Sequence, residues 1–426
     1  MIDIDLILKN REHVEDLLKR KLYEIDLRPL VDLINRKKEL LNLVEQNKAL
    51  QNKLSKSVPE VKKAGGDVKQ IFAQVKALSA ENKEREAELE KVTNEANEIL
   101  FALPNLPDED LVGGGKENNV PIYQFKDKPE FKFPIKNHVE LAESLGLIDY
   151  ERAAKISGHG TWIYTGLGAR LEWALINYFI SEHIKDGFEF ILPPHMLNYE
   201  SGFTAGQFPK FGEDVFNLEG ITPRKFMLPT AETALVNLHR NEIIPTEELP
   251  KKYFAYTPCY RKEAGSYRSE ERGMIRGYQF NKVEMVEYTK DDDSDRAFEE
   301  LVNKAKRLLE GLGLHYQISK LAAGDCSHSM ARTYDLEVYL PSLNIYKEVS
   351  SVSNARDYQA RRGMMRYRGE DGKIHYCHTL NGSGLATSRV FPAILEQFQQ
   401  PDGSVLIPEV LQPFMGGIKV LTPIKK

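Results

Sequence analysis

Between Tyr253 and Tyr288 the chain concentrates side chains suited to handling phosphate. A β-like run ends in Tyr260-Arg261-Lys262-Glu263, a charged loop continues to Arg276, and a second β-like run carries Gln279-Phe280-Asn281-Lys282-Val283-Glu284. Strand alternation puts Arg261 and Glu263 on one face of the first run, and Phe280, Lys282 and Glu284 on one face of the second. Such a surface offers a guanidinium fork that matches two phosphate oxygens, an aromatic plate for a purine, and carboxylates. With four arginines and three acids from Arg261 to Arg276, the segment reads equally well as an ion-paired surface. Upstream, Thr230-Ala231-Glu232 on its own reads as a helix N-cap.

Other nucleotide and metal signatures are missing. Gly115-Lys116 and Gly372-Lys373 are followed by Glu117 and Ile374, so neither completes a phosphate loop, and Gly166-Leu167-Gly168 lacks the third glycine of a dinucleotide fingerprint. Cys326-Ser327-His328 and His375-Tyr376-Cys377-His378 have no Cys-x-x-Cys or His-Glu-x-x-His core, so no zinc is expected. Three widely spaced cysteines, Cys259, Cys326 and Cys377, fit reduced thiols better than a disulfide framework.

These groups must be held by an α+β body. Strands are expected near 252–261, 279–288, 333–340 and 344–350, and an amphipathic helix near 169–184. Tyr334, Leu336, Val338 and Leu340 share one strand face while Asp335, Glu337 and Tyr339 share the other, as in an antiparallel sheet with a core side and a polar side. Residues 30–57 and 67–101 differ in texture, being long, polar and spaced in heptads. Leu33, Leu40, Leu43, Leu50 and Leu54 form the first seam, interrupted by Arg36 and Asn47. The second runs Val68, Ile71, Val75, Leu78, Asn82, Arg85, Leu89, Val92, Ala96 and Ile99. Pro59, Gly65 and Gly66 break the pattern and fold the chain back, giving an antiparallel coiled-coil hairpin whose arms each reach about 40 Å.

Charge is split along this hairpin. Lys48, Lys53, Lys56, Lys62, Lys63, Lys69 and Lys76 face only Glu60 and Asp67 in the distal half, net +5, whereas Ser79 to Phe101 carries seven glutamates against three basic residues, net −4. A basic tip on a protein of net charge −5 suggests contact with a polyanion, RNA backbone foremost; a solvated coiled coil that dimerises or spaces domains is the alternative.

The 426 residues, 48.6 kDa, exceed one ordinary core, and the expected division is an N-terminal arm over 1–105, a Pro/Gly-rich linker over 106–119 and a body over 120–426. No apolar run is long enough to span a membrane, and the acidic start Met1-Ile2-Asp3-Ile4-Asp5 is unlike a secretory signal, so a cytoplasmic protein is expected.

The strand-loop-strand resembles motif 2 of the class II aminoacyl-tRNA synthetases, and further blocks narrow the resemblance to seryl-tRNA synthetases. These are Pro229-Thr230-Ala231-Glu232, Lys347 to Asn354, Gln359-Ala360-Arg361-Arg362, His378 to Ala386 closing on Arg389, Ile407 to Leu411, and Met415-Gly416-Gly417. The helical hairpin before the body is that family's arrangement too. Two departures stand out: Ser266 to Glu271 in the loop, and Thr387-Ser388 before Arg389.

The resemblance implies that serine is activated by ATP to seryl-adenylate and esterified to serine tRNA, with selenocysteine tRNA left open as a further acceptor. Arg261 and Arg389 would be the catalytic cations. ATP would meet Arg261, Lys262, Glu263, Arg276, Phe280, Glu348, Val349, Ser350, Ser351 and Arg389; Glu348 and Ser351 would hold its Mg²⁺. Because those two are three residues apart, a regular strand would point them to opposite faces, so the strand must bulge or end before Ser351. Serine would meet Thr230, Ala231, Glu232, Arg261, Glu284, Asn381 and Ser383. The lysine-rich hairpin would grip the tRNA, and the family is homodimeric. A serine-activating enzyme loading a carrier protein and a non-catalytic RNA-binding relative are the rival readings.

Overall fold

The computed structural model describes residues 1–262 and 273–424, and divides into two compact units. The first comprises Ile2–Asp16 and Glu24–Leu103. Its two long helices are α1 (Arg28–Lys63) and α2 (Val68–Ala102). The α2 seam is as expected: each of its ten positions is buried or half-buried, Asn82, Val92 and Ala96 most fully. In α1 the buried positions are Leu30, Leu40 and Val44, and Leu50 is 46% exposed. Gln51 replaces Leu50 in the seam, its amide donating to Val75 O at 3.1 Å.

Pro59 does not end α1, which continues to Lys63. Proline removes only the bond to Ser55 O. Ser55 is exposed, so water satisfies that carbonyl while Val58 and Val61 remain half-buried. The reversal falls at Gly65, whose φ of 73° favours glycine.

The second unit contains Leu17–Tyr23 and everything from Pro104 onward. The segment read as a linker, 106–119, is bound into this body. Asn105 is buried with its amide on Ser329 O and Ala355 O, and the Asp108 carboxylate pairs with Arg332 and Arg356 at 2.7 Å. Ala323 N donates to Val112 O and Gly324 N to Gly114 O. Pro/Gly composition marked irregular backbone here, which tertiary hydrogen bonds then ordered.

The body is built on eight strands: β1 (Val120–Phe125), β2 (Glu189–Phe190), β3 (Lys251–Tyr260), β4 (Gln279–Thr289), β5 (Tyr316–Lys320), β6 (Arg332–Leu340), β7 (Ile345–Asn354) and β8 (His378–Ala386). Their order across the sheet is β1-β5-β6-β7-β8-β4-β3-β2, antiparallel throughout except for the edge pair β2–β3. Four helices frame it: α3 (Gly166–Lys185), the single turn α4 (Glu232–Leu235), α5 (Ser294–Leu312) and α6 (Tyr358–Gly363); α7 (Thr387–Gln397) follows β8 directly. In α5, Phe298, Leu301, Val302, Ala305, Leu308 and Leu309 recur at helical spacing and are buried, so one stripe packs on the sheet. Leu336 and Val338 on β6, with Phe391, Ile394 and Leu395 on α7, belong to the same fully buried core. Their strand neighbours Asp335 and Glu337 point the other way, into a cavity.

Candidate active site

The polar face of the sheet opens into a cavity of about 900 Å³. Arg261 arrives at the end of β3, Arg276 from the segment before β4, and Arg389 from the first turn of α7; all three line this one cavity. Antiparallel pairing is what gathers them. Phe280 lies opposite Cys259 across β4–β3, and Lys282 pairs with Ala386 at the end of β8, three residues before Arg389.

The side chains expected to meet a nucleotide are already engaged with one another. The Arg261 guanidinium lies over the Phe280 ring, 5.1 Å from its centroid, with Nε donating to Pro229 O at 3.1 Å. Arg389 Nη1 donates to Glu348 O at 2.7 Å and stands 3.5 Å from the Glu348 carboxylate. A cation and an acid so close can address the same phosphate chain, the one directly and the other through a metal.

The required bulge is present. In the β6–β7 ladder Asp335 pairs with Ser351, Leu336 with Ser350 and Glu337 with Glu348, so Val349 is the extra residue. Glu348 and Ser351 therefore both line the cavity. Val349 sinks into the core, and Ser350 is fully buried with its hydroxyl on Ser383 O at 2.6 Å. Of these two expected ATP contacts, Val349 borders only a narrow side cleft shared with Phe280, and Ser350 supports β8 instead. Lys262 lines neither space; its backbone N–H donates to Asp214 O. Glu263 lies outside the described residues.

A second cluster occupies the floor between β4, β8 and α4. Glu284 is 1% exposed, and its carboxylate takes the Lys282 ammonium at 2.5 Å and the Ser383 hydroxyl at 3.2 Å. Lys282 also donates to Thr230 Oγ1 at 2.8 Å. The Asn381 amide bridges Glu232 at 3.3 Å and Glu284 at 3.2 Å, leaving the buried Asn381 Oδ1 without a partner. Burial and the negative charge of Glu284 push Glu232 up to about 7, although Gln359 donates to it at 2.8 Å. The buried ammonium is thus in contact with Glu284, while Glu232 feels Lys282 and Arg261 only through space. Ala231 does not face it; its methyl is packed with Leu235, Val236 and Ile244.

Lys282 and Gln359 had no role in the sequence reading. Alternation did place Lys282 on the same strand face as Phe280 and Glu284, which was signal enough. Gln359 had only its place in the Gln359-Ala360-Arg361-Arg362 block, which does not reveal a bond to Glu232, 127 residues away.

For a divalent cation, Glu348 and Ser351 supply hard oxygen donors, and Asp335 and Glu337 border the same wall. Ser351 is hydrogen-bonded to Asp335, whose carboxyl is pushed up by burial and by Glu348. Among the described residues no three His, Cys, Asp or Glu side chains are placed to hold a metal by themselves. The donor set fits Mg²⁺ that completes its shell with phosphate oxygens. Cys326 and Cys377 lie in separate apolar clusters, so the two Cys/His segments do not meet.

Both ends of the chain's architecture match known families. Residues 1–107 match the seryl-tRNA synthetase N-terminal domain, and residues 217–398 the class II tRNA synthetase core domain for G, H, P, S and T. Serine–tRNA ligase 2 of Clostridium acetobutylicum is 57% identical over 99% of this chain and 100% of its own length. The chain belongs to the serine–tRNA ligase family. A second such ligase, from Caldicellulosiruptor bescii, is 45% identical over 98% of this chain and 99% of that one. The crystal structure of seryl-tRNA synthetase from Pyrococcus horikoshii complexed with ATP superposes with a TM-score of 0.92 at 31% identity, covering 100% of both chains. That match spans both the helical hairpin and the antiparallel-sheet body.

Proposed function

We propose that the cavity binds L-serine against Thr230, Glu232, Glu284, Asn381 and Ser383, and lays ATP along Arg261, Phe280, Arg276 and Arg389. As a serine–tRNA ligase the enzyme joins serine to serine tRNA at the expense of ATP. One observation carries the serine assignment: Glu284 holds the buried Lys282 ammonium, while among the described residues Glu232 has no cation in contact and the Asn381 oxygen beside it has no partner. A small substrate bearing an ammonium and a hydroxyl supplies what is missing. The ammonium satisfies Glu232, and the hydroxyl donates into the Glu284–Ser383 side. A pocket built this way rejects alanine because the lost hydroxyl leaves buried polar groups unpaired.

Positioning and charge stabilisation then suffice for chemistry. Arg261 holds the serine carboxylate against the α-phosphate, an oxygen of that carboxylate attacks phosphorus, and pyrophosphate leaves along Arg276 and Arg389. Phe280 and the Arg261 plane offer the stacking surface for adenine. Mg²⁺, held by Glu348 and Ser351 together with phosphate oxygens, would neutralise charge on the leaving pyrophosphate. The terminal hydroxyl of tRNA next attacks the acyl carbonyl of seryl-adenylate, and AMP departs.

The hairpin is proposed to hold the tRNA backbone. All seven lysines from Lys48 to Lys76 are exposed, and Phe72 at 56% exposure lies among them. Lys48 is partly spoken for by Glu86 at 2.7 Å, so the six beyond it carry more of this role. A homodimer acting in the cytoplasm completes the proposal; no helix among the described residues is long and apolar enough to cross a membrane. Pyrophosphate exchange with each amino acid, followed by charging of total tRNA, tests the whole. Serine-dependent exchange with serine esterified to RNA is expected. Exchange without charging would favour a carrier-protein acceptor, and neither activity would indicate a non-catalytic relative.

A further inference from the structure

One buried acid stands behind the cavity wall, between the two elements that carry the nucleotide-facing groups. Glu172 of α3 is 3% exposed. Its Oε1 accepts from the Thr387 hydroxyl at 2.5 Å and from the Asn281 amide at 2.8 Å. Thr387 opens α7, two residues before Arg389, and Asn281 lies in β4 between Phe280 and Lys282. Asn281 is held at its other end too, since Tyr256 of β3 donates to its Oδ1 at 3.2 Å. The groups facing the carboxyl are thus Thr387, Asn281, Tyr256 through Asn281, and the half-buried Tyr164, whose hydroxyl is turned inward and whose ring packs on Phe391 of α7 at 5.6 Å. Among the described residues no Lys or Arg pairs with it.

A buried carboxyl without a cation is costly, and replacing such a group by apolar packing is often neutral or better. What this one supplies is geometry: its Oε1, together with the Thr387 hydroxyl that also reaches Asn281 O at 3.2 Å, joins the first turn of α7 to the middle of β4. Sheet pairing alone leaves the pitch of α7 relative to Phe280 unset, because the helix leaves the sheet at Ala386.

We infer that Glu172 is a positioning residue for the adenylation step, setting the spacing between Phe280 and Arg389, and hence the fit of ATP, by holding Asn281 and Thr387 on one carboxyl oxygen. This rests on the reading of Phe280 and Arg389 as nucleotide contacts. Burial pushes the Glu172 carboxyl up to about 7. Its ionised form makes the stronger acceptor, so the brace tightens as pH rises through that value.

The test is serine-dependent ATP–pyrophosphate exchange by the full chain at saturating serine, with KM for ATP measured from about pH 6 to 8.5. Thr387→Val removes the hydroxyl at nearly constant volume and is expected to raise KM for ATP about fivefold, with KM for serine and the melting temperature little changed. Glu172→Gln keeps a neutral acceptor on Oε1 and should restore most of the ATP affinity lost in Glu172→Ala, while flattening the pH dependence of KM for ATP. An unchanged KM for ATP in Thr387→Val or in Glu172→Ala, or an equal rise in both KM values alongside a lower melting temperature, overturns the inference, since Thr387→Val alone also removes the bond to Asn281 O. Phe280→Leu separates the two claims. A raised KM for ATP there with none in Thr387→Val sinks only the positioning role, and no change in either sinks the nucleotide reading itself.

Discussion

In the proposed pocket, Glu284 is the residue on which serine selection would turn. It is buried, paired with Lys282 and bonded to Ser383, so a substrate hydroxyl completes a nearly satisfied group. Glu284→Ala is expected to leave the Lys282 ammonium unpaired and to cut the serine-to-alanine ratio of kcat/KM by at least about tenfold, measured by pyrophosphate exchange. An unchanged ratio would remove Glu284 from the pocket. Glu232 makes a pH prediction. Its carboxyl is pushed up to about 7 by burial and by Glu284, and only its ionised form attracts the serine ammonium. Serine affinity should therefore be full above that value and fall as pH drops through it, so kcat/KM for serine declines on the acid side. Glu232→Gln should lower the plateau and erase that limb, whereas a limb that survives would belong to another group.

Elements succeed or fail here by local exceptions to their periodicity. The extra residue Val349 lets β7 present Glu348 and Ser351 to one cavity, and no choice of side chains on a regular strand could do so. In the hairpin, Asn82 is 5% exposed in the seam, and its Oδ1 has no partner. Such a group costs stability and helps set register. Asn82→Leu is expected to stabilise the hairpin by about 1–2 kcal/mol, read as greater hydrogen-exchange protection of α1 and α2 amides at unchanged protection in the body. Equal or lower protection would mean that Asn82 is satisfied in solution.

At the scale of the molecule, the proposed function divides the labour by charge. The body's cavity and the side cleft that holds Phe280 contain every group invoked for adenylate formation, and the hairpin tip carries the surplus of lysines. Deleting residues 36–95 is expected to abolish tRNA charging while leaving serine-dependent pyrophosphate exchange within about threefold of the full chain. Loss of both activities would assign the hairpin a part in folding the body. Raising the salt concentration should weaken charging much more than exchange, since phosphate contacts release counterions.

Periodicity and ordered motif blocks were enough to announce a helical hairpin, an antiparallel sheet and the cavity arginines, because a period of 3.5 or of 2 is written into neighbouring residues. The α2 seam, the strand faces of Asp335 and Glu337, and the need for a bulge before Ser351 were all legible this way. Failures arose where distant groups intervened. Pro59 stayed helical because packing outweighed one lost bond, Leu50 yielded the seam to Gln51, and the supposed linker was ordered by Arg332 and Arg356. Val349 and Ser350 stood in the right block, yet one is drawn into the core and the other into a bond with β8. The Gln359–Glu232 and Glu172–Thr387 bonds span 127 and 215 residues. No local pattern encodes such pairings; they exist only once the sheet has closed and water has been expelled from around the groups that must then find one another.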